Sequence, residues 1–110
     1  MKIIFSQVLQ YCNLLISSIG SLDNSICKWN LNGECILTIK GHDNQVVCMM
    51  VYKGELYSGS DDMTIKQWTL DGSLKRVYKG HTSAVACVSA WNGALFSGGH
   101  DKMIIQWTSK

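Results

Sequence analysis

Proline is missing from all 110 residues, and no segment is rich in serine or in charge, so nothing in the chain reads as a linker or a disordered tail. Charged residues make up only 16% of the sequence against 46% apolar, the balance of a globular domain with a modest core. Long apolar runs are missing as well. No stretch approaches the roughly 20 residues that a membrane helix needs. The opening segment, Met1 to Gly20, has the early lysine and apolar run of a signal peptide, but Gln7, Gln10 and Asn13 interrupt the run. The chain therefore reads as soluble and cytoplasmic, with no membrane contact.

The five cysteines include no CxxC pair, and Cys12, Cys27 and Cys35 have no zinc-ligand spacing with the three histidines. Cys48 and Cys87 sit inside apolar runs, where they read as small buried hydrophobes. Reduced thiols of an intracellular protein, with no metal and no cofactor, are the simplest account. A basic stripe is lacking too. The net charge of +2 is dispersed, and Lys75, Arg76 and Lys79 form the single local cluster without interleaved aromatics, which reads as a solvated outer strand rather than a nucleic-acid surface.

What the chain does have is repetition. The stretch from Gly41 to Trp68, GHDNQVVCMMVYKGELYSGSDDMTIKQW, returns 39 residues later as GHTSAVACVSAWNGALFSGGHDKMIIQW, Gly80 to Trp107. Trp29, Trp68 and Trp107 keep that period, as do Asp23, Asp62 and Asp101, and Gly20, Gly59 and Gly98, with no gap needed. Between Gly54–Trp68 and Gly93–Trp107, eight of fifteen positions are identical. A period near 40 residues indicates stacked supersecondary units, none of which buries its apolar face alone. Val8 falls in register with Val47 and Ala86, so the first segment reads as a degenerate first copy.

Short turns divide each copy. Asn32-Gly33 and Asp71-Gly72 are one period apart, as are Lys53-Gly54 and Asn92-Gly93, and such pairs between apolar alternations signal hairpins whose two turn residues take positive φ. In the middle copy they leave strands over Val46–Val51, Leu56–Ser60, Thr64–Leu70 and Leu74–Tyr78. The runs Val46-Val47-Cys48-Met49 and Val85-Ala86-Cys87-Val88 are apolar on both sides, as expected of innermost strands packed on both faces. The fold class is all-β. One array fills 1–110, with units 1–40, 41–79 and 80–110, the last lacking its outer strand.

The glycine-histidine pairs, the LYSGSDD and LFSGGHD segments and the fixed tryptophan make the sequence resemble a run of WD40 repeats over nearly its whole length. That resemblance implies an open, partial β-propeller of about three four-stranded antiparallel blades. It also implies a structural hydrogen-bonded tetrad in each repeat: His42, Ser58, Asp62 and Trp68, then His81, Ser97, Asp101 and Trp107. The serine, histidine and aspartate could suggest catalysis, but a set that recurs in both repeats reads as architecture. Departures exist: the dipeptide that names the family is Trp29-Asn30, Trp68-Thr69 and Trp107-Thr108 here. In the first copy Ile3 stands at the histidine register, and Ile19 at the serine register unless Ser17 substitutes through a two-residue shift.

The implied function is a non-enzymatic protein-interaction scaffold that meets a protein or peptide. The alternative is the targeting portion of a larger signalling enzyme such as a protein kinase or ubiquitin ligase. In the family, contacts concentrate at positions that fall here on Gln45, Val47 and Asp61, on Ala84, Ala86 and His100, and on Ser6, Val8 and Leu22. Gln45, Asp61 and His100 are the preferred candidates, since Val47, Ala84 and Ala86 read as inner-strand packing. Three blades cannot close a ring, which implies self-association or further blades in a longer parent chain.

Overall fold

Segments of four to seven residues separated by short turns fold here as eleven strands, and a computed structural model describes residues 5–11, 14–19 and 24–107, with side chains from 24 onward. The first sheet holds β1 (Phe5–Tyr11), β2 (Leu14–Ile19), β3 (Ser25–Asn30) and β4 (Cys35–Lys40), in that spatial order. The second holds β5 (Val46–Tyr52), β6 (Glu55–Ser60), β7 (Thr64–Trp68) and β8 (Leu74–Lys79). β9 (Val85–Trp91), β10 (Ala94–Gly99) and β11 (Ile104–Trp107) form the third. All neighbours are antiparallel. The fold is all-β, and no helix among the described residues is long and apolar enough to cross a membrane.

The sheets stack face to face, with β5 lying between β1 and β9. Ile26, Ile39, Val46, Met49, Leu56 and Trp68 form the core between the first two sheets. Cys48, Tyr57, Ile65, Tyr78, Val85 and Leu95 form the core between the second and third. β5 serves both cores because its side chains alternate between its two faces, and a bulge sets the phase. Val46 pairs with Ser60 while Cys48 pairs with Gly59, so Val47 is an extra residue that reverses the alternation. Val46, Met49 and Val51 then face the first sheet, and Cys48, Met50 and Tyr52 the third. Ala86 is the matching extra residue in β9.

Three expectations need correction. The gapless register fails in the first sheet. Leu15 pairs with Trp29 as Leu56 pairs with Trp68, and Tyr11 with Leu14 as Tyr52 with Glu55. The connection from β2 to β3 therefore holds two more residues than its counterpart, and Gly20 is not the equivalent of Gly59. Secondly, β9 is packed on one face only. Cys48 is 5% exposed, but its counterpart Cys87 is exposed because no sheet lies beyond the third among the described residues. Cys27 is buried and Cys35 exposed, while Cys12 lies outside the described residues.

Thirdly, the turns are of two kinds. Lys53-Gly54 and Asn92-Gly93 take positive φ at both residues, at 51° and 76° and at 52° and 81°, which matches the twist of a two-residue hairpin. In Asn32-Gly33 and Asp71-Gly72 the glycine alone does, at 84° and 95°. Those links are longer: Gly33 N–H donates to the Asn30 carbonyl at 3.2 Å and Gly72 N–H to the Thr69 carbonyl at 3.0 Å, and a bulge follows in the outer strand, where Ile36 and Lys75 are the extra residues. A type I turn closed by a left-handed glycine needs no positive φ at the asparagine or aspartate.

Candidate functional site

The second and third copies each carry a chain of polar side chains across one end of the sheet. His42 lies in the link between β4 and β5, Ser58 in β6, Asp62 in the turn before β7 and Trp68 at the end of β7. His42 Nδ1 is 2.8 Å from Asp62 Oδ2, His42 Nε2 is 2.6 Å from Ser58 Oγ, and Trp68 Nε1–H donates to Ser58 Oγ at 2.9 Å. The third copy repeats this. His81 Nδ1 is 2.9 Å from Asp101 Oδ2, His81 Nε2 is 2.7 Å from Ser97 Oγ, and Trp107 Nε1–H donates to Ser97 at 2.8 Å.

The donor inventory fixes the direction of every bond. A carboxylate only accepts and an indole only donates, so a neutral imidazole holds its proton on Nδ1 toward aspartate and accepts the serine O–H at Nε2. Burial pushes the His42 pKa below its ordinary value against the pull of Asp62, which keeps the ring neutral. For Asp62, burial opposes ionisation, but the Thr64 hydroxyl and the His42 imidazole outweigh it and bring the carboxyl down to about 2. Asp43 N–H and Thr64 N–H add bonds at 3.0 and 2.9 Å. Asp101 is also lowered: burial is overcome by Thr82 N–H, His81 and Met103 N–H. Its register has Met103 where Thr64 donates a hydroxyl at 2.6 Å, so one bond is lost.

The tryptophan explains the glycine before each histidine. A Cβ on Gly41 would stand 2.6 Å from Trp68 Cη2, and one on Gly80 would stand 2.9 Å from Trp107 Cη2. Only a bare backbone lets the indole reach the serine.

Sequence reasoning missed Thr64 and Ser60. Ser60 is fully buried, donates to the Gln45 carbonyl at 2.7 Å and accepts from Asp62 N–H at 3.1 Å, pinning the turn. The Asp62-Met63-Thr64 spacing was the available signal, because an aspartate commonly bonds the backbone two residues on. In the first copy, Ser17 rather than Ile19 holds the serine register, its Cα opposite Cys27 as Ser58 is opposite Lys66. Ile3 and Asp23 lie outside the described residues.

Gln45 and Asp61 come together through their backbones, Asp61 N–H donating to the Gln45 carbonyl at 2.9 Å, and both side chains are half-buried. His100 N–H makes the same bond to Ala84 at 2.9 Å, and His100 is exposed. Val47 is half-buried and Ala86 exposed, each at its bulge. Ser6 and Val8 lie in β1, while Leu22 is outside the described residues. A cleft of about 450 Å³ beside Asp62 also carries Asp43, Lys66 and Lys79. Its acids and lysines balance, so it selects no ligand charge.

The repeat, the tetrads and the stacked sheets define a WD40 array, and the comparisons agree. The family model "WD domain, G-beta repeat" matches residues 33–69 and 72–108. The chain belongs to the WD40 family. Each match spans the outer strand of one sheet and the next three strands, so the sequence repeat ties successive sheets together. Among solved structures, the computationally designed Ika4 protein is similar at 26% identity and a TM-score of 0.79, over 91% of this chain and 62% of that one. The designed Ika8 protein is similar at 24% and 0.78, over 91% and 31%. U3-55K is similar at 23% and 0.79, over 94% and 38%. The chain thus spans less than two thirds of the length of these structures. Comparison with curated protein sequences gives no match. Repeats of this family generally mediate protein–protein interaction and are typically not catalytic.

Proposed function

We propose that the chain is a non-enzymatic protein-interaction scaffold, which presents the strand ends around Gln45, Asp61 and His100 to a protein or peptide. The observation that carries this reading is the contrast at that end of the sheets. Ser58 and Ser97 are 0% and 2% exposed, and an indole N–H occupies an oxygen lone pair of each. A serine so enclosed has no approach for substrate, and the indole bond holds its oxygen against the tryptophan rather than toward solvent. Gln45, Asp61 and His100, by contrast, reach solvent from pinned backbones. Their mixed polarity suits a protein surface better than nucleic acid or lipid. The four thiols among the described residues are free, which favours a reducing, cytoplasmic location.

The second reading, part of a longer propeller such as the targeting portion of a signalling enzyme, is supported by the bare outer face of the third sheet and by the share of similar structures that the chain spans. Affinity capture from a cytoplasmic extract tests the first reading. The triple variant Gln45→Ala, Asp61→Arg, His100→Ala should keep the wild-type melting temperature and lose the wild-type chain's captured protein. Identical capture by both proteins would overturn the assignment of this surface. Labelling of Ser58 or Ser97 by a serine-hydrolase probe would overturn the non-enzymatic reading.

A further inference from the structure

At the opposite end of the sheets, beside the Lys53-Gly54 and Asn92-Gly93 hairpins, a pocket of about 150 Å³ opens between the second and third sheets. Tyr52, Tyr57, Tyr78, Leu95 and Trp107 form its walls and Lys53 stands at its margin. Two walls are locked. The Tyr78 hydroxyl donates to buried Gln67 Oε1 at 2.8 Å, and the Trp107 indole is held by Ser97 at 2.8 Å. Their rings meet edge to face, with centroids 5.4 Å apart at 72°. The pocket is therefore formed in advance of any ligand, which lowers the ordering cost of filling it.

Its size and charge name the occupant. A space near 150 Å³, walled by aromatic rings with polar edges, has room for a benzene-sized group. A ring of aromatic faces could also attract a cation, but Lys53 Nζ already lies 5.3 Å from the Tyr52 centroid and the Arg76 guanidinium 4.8 Å from that of Tyr78, and these two charges repel a further cation. Lys53 is exposed and, among the described residues, pairs with no carboxylate, whereas Lys75 is already joined to Glu55 at 2.6 Å. We propose that the pocket receives one phenylalanine-like side chain from a partner protein's peptide, with an acidic residue beside it paired to Lys53.

This surface is separate from the one around Gln45 and Asp61, so either can fail alone. The test is an NMR titration of the full chain with acetyl-Asp-Phe-Asp-amide, following the shifts of the Tyr52, Gly93 and Trp107 resonances. Binding should weaken by about tenfold or more when alanine replaces phenylalanine in the peptide, and also with acetyl-Lys-Phe-Lys-amide. The Lys53→Glu variant, changed at an exposed position, should weaken it while melting as the wild type does, and Tyr52→Ala should weaken it further. The Gln45→Ala, Asp61→Arg, His100→Ala chain should bind the peptide unchanged. Equal affinity for the phenylalanine and alanine peptides, tighter binding of the lysine peptide, or no shift at millimolar peptide would each overturn the proposal.

Discussion

A serine hydroxyl has one proton to give and can accept from a neighbour, and in each tetrad both capacities are used, by a histidine and by a tryptophan. Breaking one link leaves buried partners unsatisfied, so Asp62→Ala and Trp68→Phe should each lower the free energy of unfolding in urea by about 1–3 kcal/mol. Gly41→Ala should cost a similar amount, about 1–3 kcal/mol, because the added methyl meets the Trp68 ring and not solvent. Acid should act in two steps. The His42 pKa is lowered on folding from 6.5, so below pH 6.5 the unfolded chain takes up a proton that the folded chain refuses. That contribution to stability is full above pH 6.5 and shrinks as pH falls through it. Asp62 moves from 3.8 to about 2, so its contribution is full above 3.8 and is lost as pH falls from there toward 2. Urea midpoints across this range should decline twice, and His42→Gln should remove the first decline.

In a β-strand, one added residue exchanges the two faces of everything beyond it, and Val47 is such a residue in β5. Deleting Val47 should leave Val46 in phase with Met49 and Val51 and turn the bulge into regular pairing, so the thermal transition should stay cooperative, whereas inserting an alanine between Cys48 and Met49 should put Val46 out of phase and destroy that cooperativity. The tetrads and strands of the second and third sheets were legible in the sequence, since 39-residue spacing repeats histidine, serine, aspartate and tryptophan together. The first sheet was legible only in part: the two-residue shift that puts Ser17 at the serine register stood as an alternative, and too few identities survive there to choose it over the gapless register. The two kinds of glycine turn were also hidden: Asn32-Gly33 and Lys53-Gly54 look alike until the length of the link is known. Burial of the matched cysteines could not be read from register either, because it depends on which sheet lies beyond. In dilute native protein Cys87 should react quickly with a maleimide. Cys48, whose thiol burial pushes up to about 12, should react only on unfolding, and equal rates for the two would contradict the packing.

The whole molecule is an arc of sheets whose facing surfaces are equivalent from one copy to the next. Cys48, Tyr57 and Ile65 of the second sheet are covered by the third. Their counterparts one period on, Cys87, Phe96 and Ile104, lie on the outer face of the third, where Ile104 is 82% exposed against 0% for Ile65. Trp91, the counterpart of Tyr52, is 72% exposed. A face of this composition matches the inner surface of another such sheet. Covering it would contribute about 25 cal/mol for each Å² of apolar area removed from water, enough over a few hundred Å² to favour association. These sheets are built to be covered, by a second copy or by further blades, as suits a family whose repeats generally mediate protein contact. Light scattering during gel filtration of the isolated 110-residue chain, at tens of micromolar, tests it most directly. The account predicts masses above that of one chain, which return toward the monomer in the variant Trp91→Lys, Ile104→Asp. A monodisperse single-chain species with a cooperative melt would contradict it.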